Sequence, residues 1–160
     1  MEPVNIDPGN LGSSALDPVR RLRVMAAGIS GAHVTEQVLP APFEEVWALM
    51  SDLEAEFGRF QPDMKSVRVT RHDGDRLEVR AHSYLGLRAR FDVVLRPGWC
   101  WMQSRFVLIG MAATPVPDGT LVALTGGARI PGRAAIVPAL VRREGAKSMR
   151  RLAERLGEQG

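Results

Sequence analysis

The side chains in this chain that could do chemistry are few, and neither type nor spacing gathers them into a catalytic set. The three histidines, His33, His72 and His82, have no metal-ligand spacing. His72 flanks a turn, and His82 alternates onto the polar side of a strand. The single cysteine, Cys100, has no histidine placed beside it and reads as a small buried hydrophobe rather than a nucleophile. Gly126-Gly127 is no phosphate loop, since the spacing is wrong and no lysine follows. Two serines, Ser83 and Ser104, could orient a ligand carbonyl but could not alone supply acid–base work near neutral pH. Gln103 and Arg105 would bring a positive charge suited to an acidic ligand, if their strand turned that face inward. No inward carboxylate pair and no Ser-His-Asp or Cys-His set emerges, and no cofactor or metal is predicted.

These residues can act only where the elements around them place them. Residues 1–31 read as an N-terminal arm, partly flexible. Pro3, Pro8, Gly9, Gly12, Ser13 and Ser14 break any hydrophobic period there, and Asp17-Pro18 then starts a short helix through about Ala27. The body, residues 32–158, opens with a strand from His33 to about Leu39. Pro40-Ala41-Pro42 hands it to an amphipathic helix, Phe43 to Met50, and Ser51-Asp52 caps a second short helix, about Leu53 to Phe57. Strands are predicted at Val67–Thr70, Leu77–Leu85, Leu87–Leu95, Trp99–Leu108, Ile109–Val116 and Leu121–Ile130. Turns fall at His72–Arg76, Pro97-Gly98 and Pro117–Thr120. A helix from about Arg133 to Leu156 comes last, with Val137, Val141, Met149, Leu152 and Leu156 as its apolar stripe. Gly145 interrupts that helix, as a bend or as a close approach to the sheet.

Hairpin turns decide which side chains share a face, because paired residues point the same way. Leu77, Val79, Ala81, Ser83 and Leu85 look inward, as do Ala89, Phe91, Val93 and Leu95. A two-residue turn at Pro97-Gly98 pairs Leu95 with Cys100, Val93 with Met102 and Phe91 with Ser104, so Cys100, Met102, Ser104 and Phe106 look inward too. A two-residue turn at Asp118-Gly119 pairs Ala113 with Leu124 and Met111 with Gly126. Small residues at Ala81, Ala113 and Gly126 leave space in the wall unless Met149 and its neighbours reach in. The predicted ligand contacts are therefore Phe60, Ala81, Ser83, Phe91, Val93, Met102, Ser104, Phe106, Met111, Ala113, Leu124, Gly126 and Met149. Trp99 and Trp101 fall on the outer face as an apolar patch that needs a cover. Either the arm covers them, or a second subunit does in a homodimer through Trp99 and Trp101, or the register slips by one and they line the pocket.

Ala41-Pro42 followed by Val46-Trp47 and Ser51-Asp52, the Asp118-Gly119-Thr120 turn and the terminal amphipathic helix occur in an order with a family likeness. Over His33 to Leu156 the chain resembles the START-like, polyketide cyclase/dehydrase (SRPBCC) superfamily, whose members share the helix-grip fold of the birch-pollen allergen. The resemblance implies an α+β fold: a curved seven-stranded antiparallel sheet wrapped around a long C-terminal helix, with two short helices after the first strand. It also implies a hydrophobic cavity between sheet and helix. Members bind lipids, sterols, polyketides or plant hormones, and some catalyse cyclisation, aromatisation or hydrolysis; the fold alone does not choose among these.

Composition bounds the rest. A chain of 160 residues, 45% hydrophobic and 24% charged, predicts one soluble domain. No apolar stretch approaches the roughly 18 residues of a membrane span, and the N-terminus has no signal-peptide layout. With one cysteine no intramolecular disulfide forms, so a cytoplasmic setting is predicted. Net charge is +3, but the basic residues are scattered, and Leu87-Arg88-Ala89-Arg90-Phe91 alternates as a solvated sheet face does. No nucleic-acid partner is predicted. The expected function is binding or carriage of a small, mostly hydrophobic molecule such as a lipid or polyketide. The alternative is a polyketide cyclase, aromatase or dehydratase-type enzyme, with Arg105, Gln103, Ser83 and Ser104 as the groups to test. A third class is a protein–protein module using the tryptophan patch and the arm.

Overall fold

The computed structural model describes residues 17–61, 64–105, 107–128 and 137–158. Helix α1 (Pro18–Ala27) precedes strand β1 (His33–Leu39), helices α2 (Phe43–Ser51) and α3 (Phe57–Phe60), and strands β2 (Met64–Asp73) and β3 (Arg76–Ser83). Strands β4 (Arg88–Arg96), β5 (Trp99–Gln103), β6 (Val107–Val116) and β7 (Gly119–Ala128) lead to helix α4 (Val137–Glu158). The strands form one seven-stranded antiparallel sheet in the order β1-β7-β6-β5-β4-β3-β2. This is the α+β helix-grip arrangement. Register shifts in β2, between Met64 and Ser66 and between Val69 and Arg71, bend that edge of the sheet.

Local chemistry sets most of the boundaries. The Asp17 carboxylate accepts from the Arg20 amide at 3.1 Å, with Pro18 as the first helical residue, and α1 starts there. Glu44 and Glu45 in the first turn of α2 complement the helix dipole. The second short helix does not occupy Leu53 to Phe57 as its sequence predicts. The Asp52 carbonyl takes the Glu56 and Phe57 amides, both at 3.0 Å, while its side chain takes the Ala55 amide at 3.0 Å. That closes a local turn, and α3 begins only at Phe57.

The hairpins confirm some registers and correct others. Leu95 pairs with Cys100 and Val93 with Met102 around Pro97-Gly98, with Gly98 at φ 74°. Pairing of β4 with β5 is described from Asp92 and Gln103 onward, so Phe91 has no ladder partner at Ser104. At the next hairpin the turn residues are Pro117 and Asp118, not Asp118 and Gly119. Val116 pairs with Gly119, Ala113 with Val122 and Met111 with Leu124. Gly119 takes φ 140°, and a Cβ there would overlap the Leu39 carbonyl, so glycine belongs at the strand start. The shift of two residues keeps every side chain on its predicted face.

Two strand ends also differ. β3 stops at Ser83 because the Ser83 amide donates to the Leu87 carbonyl at 2.9 Å and the Leu87 amide to Ser83 Oγ at 3.1 Å. Leu85, expected on the inner wall, sits at the loop tip and is 88% exposed. Likewise β5 ends at Gln103, where the Ser104 amide donates to the Val107 carbonyl at 2.8 Å and the Val107 amide to Ser104 Oγ at 2.9 Å. Phe106 and the predicted onset of the last helix near 133 lie outside the described residues.

Both faces of the sheet are covered over β6 and β7. On the inner face α2, α3 and α4 pack against it, burying Phe57, Phe91, Met102, Met111 and Leu152. At Gly145 a Cβ would lie 2.5 Å from Thr35 Oγ1, so this glycine marks a close approach of α4 to β1. Arg155 holds Glu56 with two hydrogen bonds, at 2.8 and 3.1 Å. The bonded guanidinium keeps the Glu56 carboxyl below its ordinary range.

On the outer face α1 buries Val19 and Leu22 against Trp99, Ala112 and Ala123. Leu22 fits because Gly110 has no side chain: a Cβ there would lie 2.7 Å from Leu22 Cδ1. Trp99 stacks on Trp101 with centroids 5.9 Å apart, and the Arg21 guanidinium lies 4.6 Å from the Trp99 ring centroid. Both tryptophans therefore point outward, and no register slip brings them into a pocket. The chain's own helix fills the patch that a homodimer through Trp99 and Trp101 would use.

Candidate functional site

A cavity of about 380 Å³ lies between the inner face of the sheet and α4. The β3–β4 hairpin supplies Ala81, Ser83, Ala89 and Phe91, and its tip supplies Tyr84, Leu85 and Leu87. Ile109 and Met111 of β6 and Leu124 and Gly126 of β7 form the back wall, and α4 brings Glu144, Gly145 and Ser148. Gln61 and Met64 close the side nearest α3. Tyr84, Leu85 and Leu87 are 69%, 88% and 68% exposed and also line the cavity, so it reaches the surface beneath that loop.

The alternation of β3, β4, β6 and β7 makes this wall apolar, because every second residue points at the cavity. The space itself has two local causes. Gly126 has no side chain, and a Cβ there would meet nothing closer than the Leu108 carbonyl at 3.6 Å. Ala81 and Ala89 are short. Among the thirteen predicted contacts, Ala81, Ser83, Phe91, Met111, Leu124 and Gly126 line the cavity. Phe60, Val93, Met102, Ala113 and Met149 also point inward and pack in the same core but do not line the cavity. Ser104 is part of the β5–β6 turn, and Phe106 is outside the described residues.

The polar groups around the cavity are mostly committed. Ser83 Oγ accepts from the Leu87 amide, Ser148 Oγ donates to Gln61 Oε1 at 3.2 Å, and Thr125 Oγ1 donates to the His33 carbonyl at 2.8 Å. Gln103 and Arg105, the other sequence candidates, are exposed and not part of the lining. Cys100 is fully buried, and burial pushes its thiol up to about 12, far from a thiolate at neutral pH. Among the described residues no group of His, Cys, Asp or Glu is placed to hold a metal ion.

Glu144 stands apart. Its Oε2 is buried and has no hydrogen-bond partner among the described residues. Sequence reasoning missed it because only the apolar residues of the last helix were followed. The signal was present: Glu144 and Ser148 are four residues apart, on the same side of the helix as Met149 and Leu152. Chemically, the cavity can enclose an apolar molecule and present one carboxyl to it.

Residues 31–157 match the polyketide cyclase / dehydrase and lipid transport family, and the chain belongs to it. No curated protein matches the sequence. Among solved structures, a START superfamily protein from Mycobacterium smegmatis superposes with a TM-score of 0.64 at 16% identity, covering 81% of this chain and 99% of that one. The Zhui aromatase/cyclase from Streptomyces sp. R1128 gives 0.62 at 15% identity, covering 80% and 94%. A protein from Thermus thermophilus gives 0.59 at 22% identity, covering 81% and 99%. At these identities the likeness is one of fold. Among the described residues no helix is long and apolar enough to cross a membrane.

Proposed function

We propose that the protein binds or carries a small, mostly hydrophobic molecule, a lipid or polyketide or similar compound, in the cavity beneath the β3–β4 loop. The observation that carries this reading is the cavity wall itself: Ala81, Phe91, Ile109, Met111 and Leu124 facing an open volume of about 380 Å³. Small-molecule sites commonly span about 300–1,000 Å³ with such linings. In this reading residues 32–158 are the ligand-binding domain and residues 1–31 an arm, and the single cysteine supports a cytoplasmic setting. Native mass spectrometry of gently purified protein should reveal a co-purified apolar molecule. A saturating apolar ligand should raise the melting temperature, since a ligand that binds only the folded state stabilises it. If no apolar compound does so, the reading fails.

One observation favours a second reading, an enzyme of the cyclase, aromatase or dehydratase type. The Glu144 carboxyl lies at the cavity without a partner for Oε2, where it could take a proton from a bound polyketide. Loss of turnover in Glu144→Gln with apolar binding intact would support that reading. Equal turnover in the two proteins would remove it.

A further inference from the structure

We propose that Glu144 selects the ligand: the molecule held here has an apolar body and a hydrogen-bond donor, a hydroxyl or ammonium group, at the end that meets α4. This rests on the cavity being the ligand site. A carboxylate oxygen removed from water and left unbonded is destabilising, and a native fold keeps such a group where something other than its own stability requires it. Among the described residues nothing offers Glu144 Oε2 an internal partner. Ser148, one turn along α4, spends its hydroxyl on Gln61 Oε1. The contact of Gly145 with Thr35 holds the helix backbone against β1 at the adjacent residue. None of the ion pairs among the described residues involves Glu144.

The rest of the wall gives the ligand its direction. Among the described residues the lining contains no lysine, arginine or histidine, and Glu144 is its one charged side chain. A donor on the ligand meets the Glu144 carboxyl where that residue lines the cavity, while the apolar body lies along Ala81, Phe91, Met111 and Leu124. An acidic ligand is disfavoured, because it would set a second negative charge beside Glu144 with no cation among the described lining residues to offset either. The selectivity therefore runs toward alcohols and amines and away from fatty acids of the same length.

The test uses the neutral fluorescent probe N-phenyl-1-naphthylamine bound to the full chain, displaced by 1-decanol, decylamine or decanoic acid. Decanol and decylamine should displace it at concentrations about tenfold or more below decanoic acid, the scale of one hydrogen bond to a charged group. In Glu144→Leu the three compounds should converge. In Glu144→Gln, which is close in shape, decanol should keep its advantage over the acid, while decylamine, its ammonium now without an opposite charge, should lose its own. Both variants should melt at or above the wild-type temperature, whereas a merely structural role predicts a fall. If the probe binds but the wild type takes all three compounds equally, or prefers the acid, the inference is overturned and the cavity reading stands. Retained selectivity in Glu144→Leu overturns it equally. If the probe does not bind at all, both fail.

Discussion

Gly126→Val tests whether the space beneath the β3–β4 loop is what the ligand occupies. Gly126 lies on β7, paired with Ile109 of β6 and His33 of β1, and its α-hydrogen faces the cavity beside Leu124. An added Cβ meets only the Leu108 carbonyl, at an ordinary 3.6 Å, so the new side chain has room. Replacing glycine inside a strand removes a penalty of about 0.5–1 kcal/mol, and valine suits a strand. The variant should be stabilised by about 1 kcal/mol, which for a chain of this size raises the melting temperature by about 2–4 °C. The ligand should respond oppositely. Valine places three carbons where the ligand had contact, and at about 0.8 kcal/mol per carbon the loss is about 2.4 kcal/mol, or about fiftyfold in affinity. Gly126→Ala, with one added carbon, should lose about fourfold by the same reasoning. Thermal melts and N-phenyl-1-naphthylamine titrations of the three proteins check both halves. Unchanged affinity in Gly126→Val, in a protein that melts higher, would refute the placement of the ligand. A lower melting temperature would refute the claim that the space is empty.

Other perturbations probe the frame around the cavity. Leu22→Ala removes the side chain that α1 buries against Gly110 and Trp99; it should cost about 2–5 kcal/mol in urea melts and shift tryptophan emission to the red. Cys100, buried and with its thiol pushed up to about 12, should not react with Ellman's reagent at pH 8 until the protein is unfolded; prompt native reaction would mean an accessible thiol. Glu56→Gln weakens the bidentate bond to Arg155 and should lower stability at pH 7 by about 1.5–3 kcal/mol. Since the native Glu56 carboxyl is depressed, its contribution is full above the ordinary value of 4.5 and is lost as pH falls through the lower native value. The gap between wild type and variant in urea melts should therefore narrow in that acid range; a gap constant with pH would contradict the assignment.

Much of the wall was legible because β-strand geometry is a rule of two. The Pro97-Gly98 turn set the pairing of Leu95 with Cys100, and from it the inward side of β4 and β5 followed. Even the mistaken turn at Asp118-Gly119 left Met111, Ala113, Leu124 and Gly126 inward, since the true register differs by two residues. The sequence does not say how far along each strand α4 lies. That position decides that Ala81, Phe91 and Met111 border the cavity while Val93, Met102 and Ala113 do not. Glu144 stayed hidden for a related reason: its importance arises from what surrounds it across the sheet, not from its neighbours in the chain. Leu85 continued the alternation of β3 in sequence, but the Ser83 hydroxyl ended the strand two residues earlier.

The docking of α1 on one part of the sheet divides the molecule mechanically. β6 and β7 lie between α1 on one side and α2 and α4 on the other, so opening them means separating two apolar contacts at once. Among the described residues β2 and β3 have apolar cover on one side only; Arg68 and Arg80 face water on the other. Amide hydrogens should therefore exchange slowly along β6 and β7 and faster toward the β2 edge. The cavity spans the seam between a stiff half and a compliant half. Its back wall lies in the doubly covered half, and its front, the β3–β4 loop, in the other.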